Sequence, residues 1–79
     1  MANEVIATTK KIAMQLRIAI ARKDSAPSNQ WIADRTGITA MTIGRYLKGE
    51  RDIPMPSFVA ICAALEIDPA EVLRSALDQ

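Results

Sequence analysis

Three side chains between Thr39 and Lys48 have types and spacing that suit recognition of a large partner. Met41, Arg45 and Lys48 succeed one another at intervals of four and three residues. On an α-helix advancing about 100° per residue they gather on one side, and Ile43, Tyr46 and Leu47 gather on the other. One side is fit for a core and the other for a partner. A guanidinium can pair bidentately with the major-groove edge of guanine, an aliphatic tip can touch the thymine methyl group, and an ammonium can neutralise a phosphate. Surface charges are more often simply solvated. Here the segregation of faces agrees with the turn chemistry beside it, which favours the groove reading. Gly44 lies next to this face, where it costs helix stability but permits close backbone approach.

These residues need a scaffold, and the preceding stretch supplies its signals. Asn29 to Thr36 reads as a short helix that stops at Gly37, where a left-handed residue favours glycine. Thr39 then opens a second helix through its hydroxyl and runs it to Gly49. Ala33 is small enough for a tight crossing, and Ile38 and Ile43 bracket the turn as apolar anchors. Two short helices hinged in this way form a helix-turn-helix.

The net charge of +1 looks unsuited to a polyanionic partner until it is divided along the chain. From Lys10 to Arg51 nine basic residues (Lys10, Lys11, Arg17, Arg22, Lys23, Arg35, Arg45, Lys48, Arg51) face three acidic ones (Asp24, Asp34, Glu50). From Glu66 to Gln79 four acids oppose Arg74 alone. The basic part contains the helix-turn-helix, so binding to a duplex should weaken steeply with salt.

Around this motif the pattern predicts an all-α bundle of about five short helices, a single domain over residues 1–79. Apolar residues make up 49% of the chain but aromatics only 4%, so the core must be aliphatic. No period-two run argues for strands. The first helix is expected over about Glu4 to Arg22, burying Ile12, Leu16 and Ala19 or Ile20 and leaving Lys10, Lys11 and Arg17 outside. Ser28 should cap the second helix and Ser57 the fourth, after a loop stiffened by Pro54 and Pro56. Asp68-Pro69-Ala70-Glu71 reads as a capping box with proline at the favoured first position of the fifth helix.

Several function classes are disfavoured. The chain has no histidine, which removes imidazole ligands and Ser-His or Cys-His nucleophiles, and its three glycines do not form a phosphate-cradling loop. Neither an enzyme, a cofactor nor a metal site is expected. Cys62 is the only cysteine and lies in an apolar segment without a cation to generate a thiolate, so it reads as packing. Its solitude fits a reducing, cytoplasmic setting, and no run of the sequence is long enough for a membrane span. Trp31 could stack on sugar, but at the start of an amphipathic helix it reads as core rim.

An ordered set of motifs carries a resemblance that covers Leu16 to Leu77. It comprises Ile32-Ala33 and Gly37-Ile38, then Ile43 with Tyr46-Leu47 and Gly49, then Pro56-Ser57 opening a helix that ends Ala64-Leu65-Glu66-Ile67, and finally Asp68 to Leu73. In this order the motifs resemble the lambda-repressor/Cro-like helix-turn-helix family, also called the Xre family. The resemblance implies that Thr39 to Lys48 form a recognition helix and that the chain is a transcriptional regulator, most commonly a repressor occluding an operator in double-stranded DNA. A chain without a sensor domain is similar to Cro-like phage or prophage regulators. Ala40, Met41 and Arg45 stand where the family reads bases, with Thr42 beside them. Thr39 and Lys48 stand at backbone-contacting positions, as does the start of the preceding helix with Asn29 and Gln30, and Arg51 is added to this set. Two departures stand out. Asn29 replaces a frequent Gln that braces the recognition helix, and Leu47 replaces a frequent Glu, so an ion pair to helix 1 is not expected.

Two questions stay open at this level. Phe58 to Leu65 carries no charge, so this helix must be buried nearly all round, in part against a second copy together with Val72, Ala76 or Leu77 of the fifth helix, or else its alanines are exposed helix formers. A homodimer through this helix 4/5 surface would place two recognition helices about one DNA turn apart. A fold does not fix a function, and the rival reading is an adaptor or antitoxin-type regulator whose main partner is another protein.

Overall fold

The computed structural model describes residues 2–78 and contains five helices among them: α1 (Ala2–Ala21), α2 (Asn29–Thr36), α3 (Ala40–Leu47), α4 (Met55–Leu65) and α5 (Pro69–Leu77). No strand occurs among the described residues. The all-α expectation therefore holds, with α2 and α3 as the helix-turn-helix.

Local chemistry explains most of the boundaries. Ser28 accepts a hydrogen bond from the Trp31 backbone N–H at 3.1 Å and so caps α2. That helix ends where Gly37 takes φ 79° and returns its N–H to Ala33. Thr39 caps α3 by accepting from the Thr42 N–H at 3.2 Å. At the far end of α3, Glu50 N–H reaches Arg45 O and Gly49 N–H reaches Tyr46 O, while Gly49 adopts φ 74°. This is a Schellman ending, which needs a left-handed residue at that point.

Three expectations are corrected. Ser57 does not cap α4, which starts earlier at Met55 behind Pro54 without any side-chain cap. Pro54 and Pro56 fall at the cap and in the first turn, where a missing N–H leaves no hydrogen bond unmade. The capping box of α5 is only half formed: Asp68 accepts from Ala70 N–H at 2.9 Å, but the Glu71 carboxylate takes Arg74 at 2.8 Å instead of reaching back. The buried stripe of α1 runs through Ala13, Leu16 and Ile20, with Ile12 half-buried at its edge. Alanine takes the centre because α1 passes close to the α3–α4 connection there. A methyl group on Gly49 would stand 3.2 Å from Lys10 Cα and 3.6 Å from Ala13 Cβ.

The core has two connected parts. Ile20, Ile32, Ile43, Tyr46, Ile61 and Leu65 join α2, α3 and α4 to the end of α1. Leu16, Phe58, Cys62 and Val72 join α1, α4 and α5. Val72 and Ala76 are therefore buried within the chain, and of the α5 residues considered for an interface only Leu77 is exposed. Burial pushes the Cys62 thiol up to about 11, with the Asp68 charge adding to the shift, so the sulfur is a neutral packing group.

Candidate nucleic-acid interface

The geometry of α3 follows from which of its side chains the core claims. Ile43 is fully buried and Tyr46 is 5% exposed, and together they seat the helix on α1, α2 and α4. This leaves Met41 69% exposed and Arg45 and Lys48 on the surface beside it. The segregation read from the sequence is thus present in three dimensions. Ala40 and Thr42, on either side of Met41, are half-buried.

The five residues expected at the nucleic-acid backbone, Asn29, Gln30, Thr39, Lys48 and Arg51, are all exposed. They are not equally free. Gln30 spends one amide donor on the Asp34 carboxylate at 2.8 Å, one turn along α2. Thr39 is occupied twice, accepting from Thr42 N–H and donating its hydroxyl to Thr42 Oγ1 at 2.9 Å. Arg51 lies with Ile6, Thr9 and Lys10 around a shallow groove between α1 and the α3–α4 loop. Thr9 of α1 also donates to Asp52 of that loop, which ties the two together.

Asn29 and Gly44 form a pair that sequence reading could only half anticipate. A Cβ at Gly44 would sit 3.3 Å from Asn29 Nδ2, so the first residue of α2 lies against the middle of α3. The side chain is shorter than the frequent Gln, but glycine removes the group that would hold it away. Trp31 is half-buried against the core, and the Arg35 guanidinium lies 3.6 Å from its ring centroid. Its faces are already engaged within the chain, as the core-rim reading requires.

One contact that holds α3 escaped the sequence. Arg17, assigned only to the outside of α1, donates from Nη1 to the Leu47 carbonyl oxygen at the end of α3. The tie between α1 and α3 therefore exists without a glutamate, made to a backbone acceptor that every residue carries. A cation there also suits the negative end of the helix dipole. Nothing in the sequence pattern pointed to it, since side-chain pairing rules do not see a carbonyl.

No helix among the described residues is long and apolar enough to cross a membrane. No curated protein and no solved structure matches the chain. The family described as Cro/C1-type HTH DNA-binding domain matches residues 16–75, which contain the whole helix-turn-helix, α4 and most of α5. By the extent of that match, the chain, an all-helical bundle with α2 and α3 as its helix-turn-helix, belongs to the Cro/C1-type helix-turn-helix DNA-binding family.

Proposed function

We propose that this chain is a sequence-specific, double-stranded DNA-binding regulator of transcription, a small Cro-like repressor that lays α3 in the major groove and occludes a promoter. The phage or prophage setting follows the resemblance of its motifs. The observation that carries the reading is the exposed Met41, Arg45 and Lys48 face of a helix whose other face is locked in the core. In it Arg45 and Met41 discriminate bases with Ala40 and Thr42 beside them, and Lys48, Asn29, Gln30, Thr39 and Arg51 hold the backbone. Two copies associate through the α4/α5 surface, where Met55, Val59 and Leu77 are exposed, and bind an inverted repeat. The same apolar residues favour the second reading, an adaptor or antitoxin-type chain that binds a protein.

Selection of bound duplexes from a random pool at near-physiological salt, run in parallel with a Met41→Ala/Arg45→Ala variant, separates these readings. The DNA reading expects an enriched motif that the variant loses, and a symmetric motif if two copies bind. Arg45→Ala alone should relax the preference at one or two base pairs and cost about 1–3 kcal/mol of binding, whereas Lys48→Ala should weaken all sequences alike and reduce the salt slope by about one. A folded protein that enriches nothing would put the protein-binding reading first.

A further inference from the structure

We infer that α3 selects a thymine through Met41 at a position within about two base pairs of a guanine held by Arg45, so that the 5-methyl group of that thymine is itself part of the ligand. The inference rests on the DNA-binding reading above and names what the site would recognise.

Met41 is the second residue of α3 and 69% exposed, on a helix whose other large apolar residues are buried or half-buried. Leaving such a side chain in water has no packing benefit for the monomer, since Ile43 and Tyr46 already fill the inward face. A thioether is at best a weak acceptor and donates nothing, so Met41 cannot tell bases apart by hydrogen bonding. It can do so by apolar contact. Of the four bases only thymine presents an apolar group in the major groove, its C5-methyl.

The residues beside Met41 are less exposed than it is. Ala40 offers only a methyl group, and half-buried Thr42 accepts the Thr39 hydroxyl at 2.9 Å while keeping its own hydroxyl proton. Met41 therefore stands out from the first turn of α3 as an exposed apolar tip, and the guanidinium of Arg45 follows one turn later. Four residues of α-helix rise about 6 Å. That is a little under two base-pair steps of about 3.4 Å each, which sets the spacing between the two contacts when α3 lies along the groove.

The test uses the full chain and the duplex enriched by pool selection. Each thymine is replaced in turn by uracil, which deletes the methyl group and leaves every hydrogen-bonding edge in place. Binding is measured by fluorescence anisotropy for the unaltered protein and for Met41→Ala. One uracil position should weaken the unaltered protein about fourfold, the effect of withdrawing one methyl group from an apolar contact. The same replacement should leave Met41→Ala unchanged. In parallel, 7-deazaguanine, which lacks the N7 acceptor, should weaken the unaltered protein and not Arg45→Ala at a guanine within two base pairs of that thymine. Circular dichroism of both variants checks that they fold, which the exposure of both residues predicts. An enriched motif bound equally well with uracil throughout, or a uracil effect of the same size in Met41→Ala, would overturn the inference and leave DNA binding standing. A pool that enriches nothing would overturn both.

Discussion

Helix α4 is richer in apolar residues than α3, nine of eleven against five of eight, yet only α3 announces its orientation. In α3 the apolar residues are divided by polar ones, and the buried Ile43 and Tyr46 are separated cleanly from the exposed Met41 and Arg45. In α4, MPSFVAICAAL, no charge appears on any side, so the sequence leaves open whether it is buried nearly all round, in part against a second copy, or carries exposed alanines. Within one chain the fold buries Phe58, Ile61, Cys62 and Leu65 and leaves Ala63, Met55 (58%) and Val59 (45%) exposed. Periodicity carries information only where polarity alternates with it. A uniformly apolar helix has no preferred face until its neighbours choose one.

The comparison can be broken most forcefully in the core. Ile43→Ala in α3 and Ile61→Ala in α4 remove side chains that are both fully buried, and each should cost about 2–5 kcal/mol in urea unfolding. Met41→Ala and Val59→Ser, on the exposed sides of the same helices, should stay within about 0.5 kcal/mol for the isolated chain, while the proposed pairing of two copies would add a concentration-dependent loss for Val59→Ser. A large loss for Val59→Ser would mean that α4 is covered, as a second copy would cover it, and sedimentation of the variant would then report a smaller particle.

A smaller effect is expected at the ends of the two helices, which finish in the same hydrogen-bond pattern with different residues. The left-handed position is Gly49 after α3 and Glu66 after α4, with φ 74° and 57°. Gly49→Ala meets both strain and the Lys10 backbone at 3.2 Å, so it should destabilise by more than about 1 kcal/mol and loosen the seat of α3 on α1. A thermal melt showing no loss would disprove that close packing. Glu66→Gly should act in the opposite direction, relieving left-handed strain for a gain of up to about 1 kcal/mol, reduced by the greater freedom of glycine in the unfolded chain. A measured loss would show that the Glu66 side chain has a stabilising partner of its own.

The legible part of the molecule was the part with local chemistry. Ser28, Gly37 and Thr39 act on backbone groups within a few residues, so their caps could be read directly and stand as expected. Ser57 failed by the same standard, because a serine before an apolar run resembles a cap even when two prolines already start the helix. At the candidate site, the exposed face of α3 was legible and its attachments were not. Asn29 against Gly44 and Arg17 on the Leu47 carbonyl join residues far apart in the chain. One uses a missing side chain and the other a backbone oxygen, neither of which leaves a mark in a side-chain pattern.

The amino-acid sequence by itself determined that the chain is helical, that α2 and α3 meet at Gly37, and that Met41, Arg45 and Lys48 share an outward face, because caps, turn conformations and helical periodicity are local properties. Tertiary structure alone decided which side of α4 is exposed, that Val72 and Ala76 belong to the core, and how α1 holds α3 through Arg17 and Gly49. Those outcomes depend on which surfaces compete for the same interior. That competition is settled only when all five helices pack together.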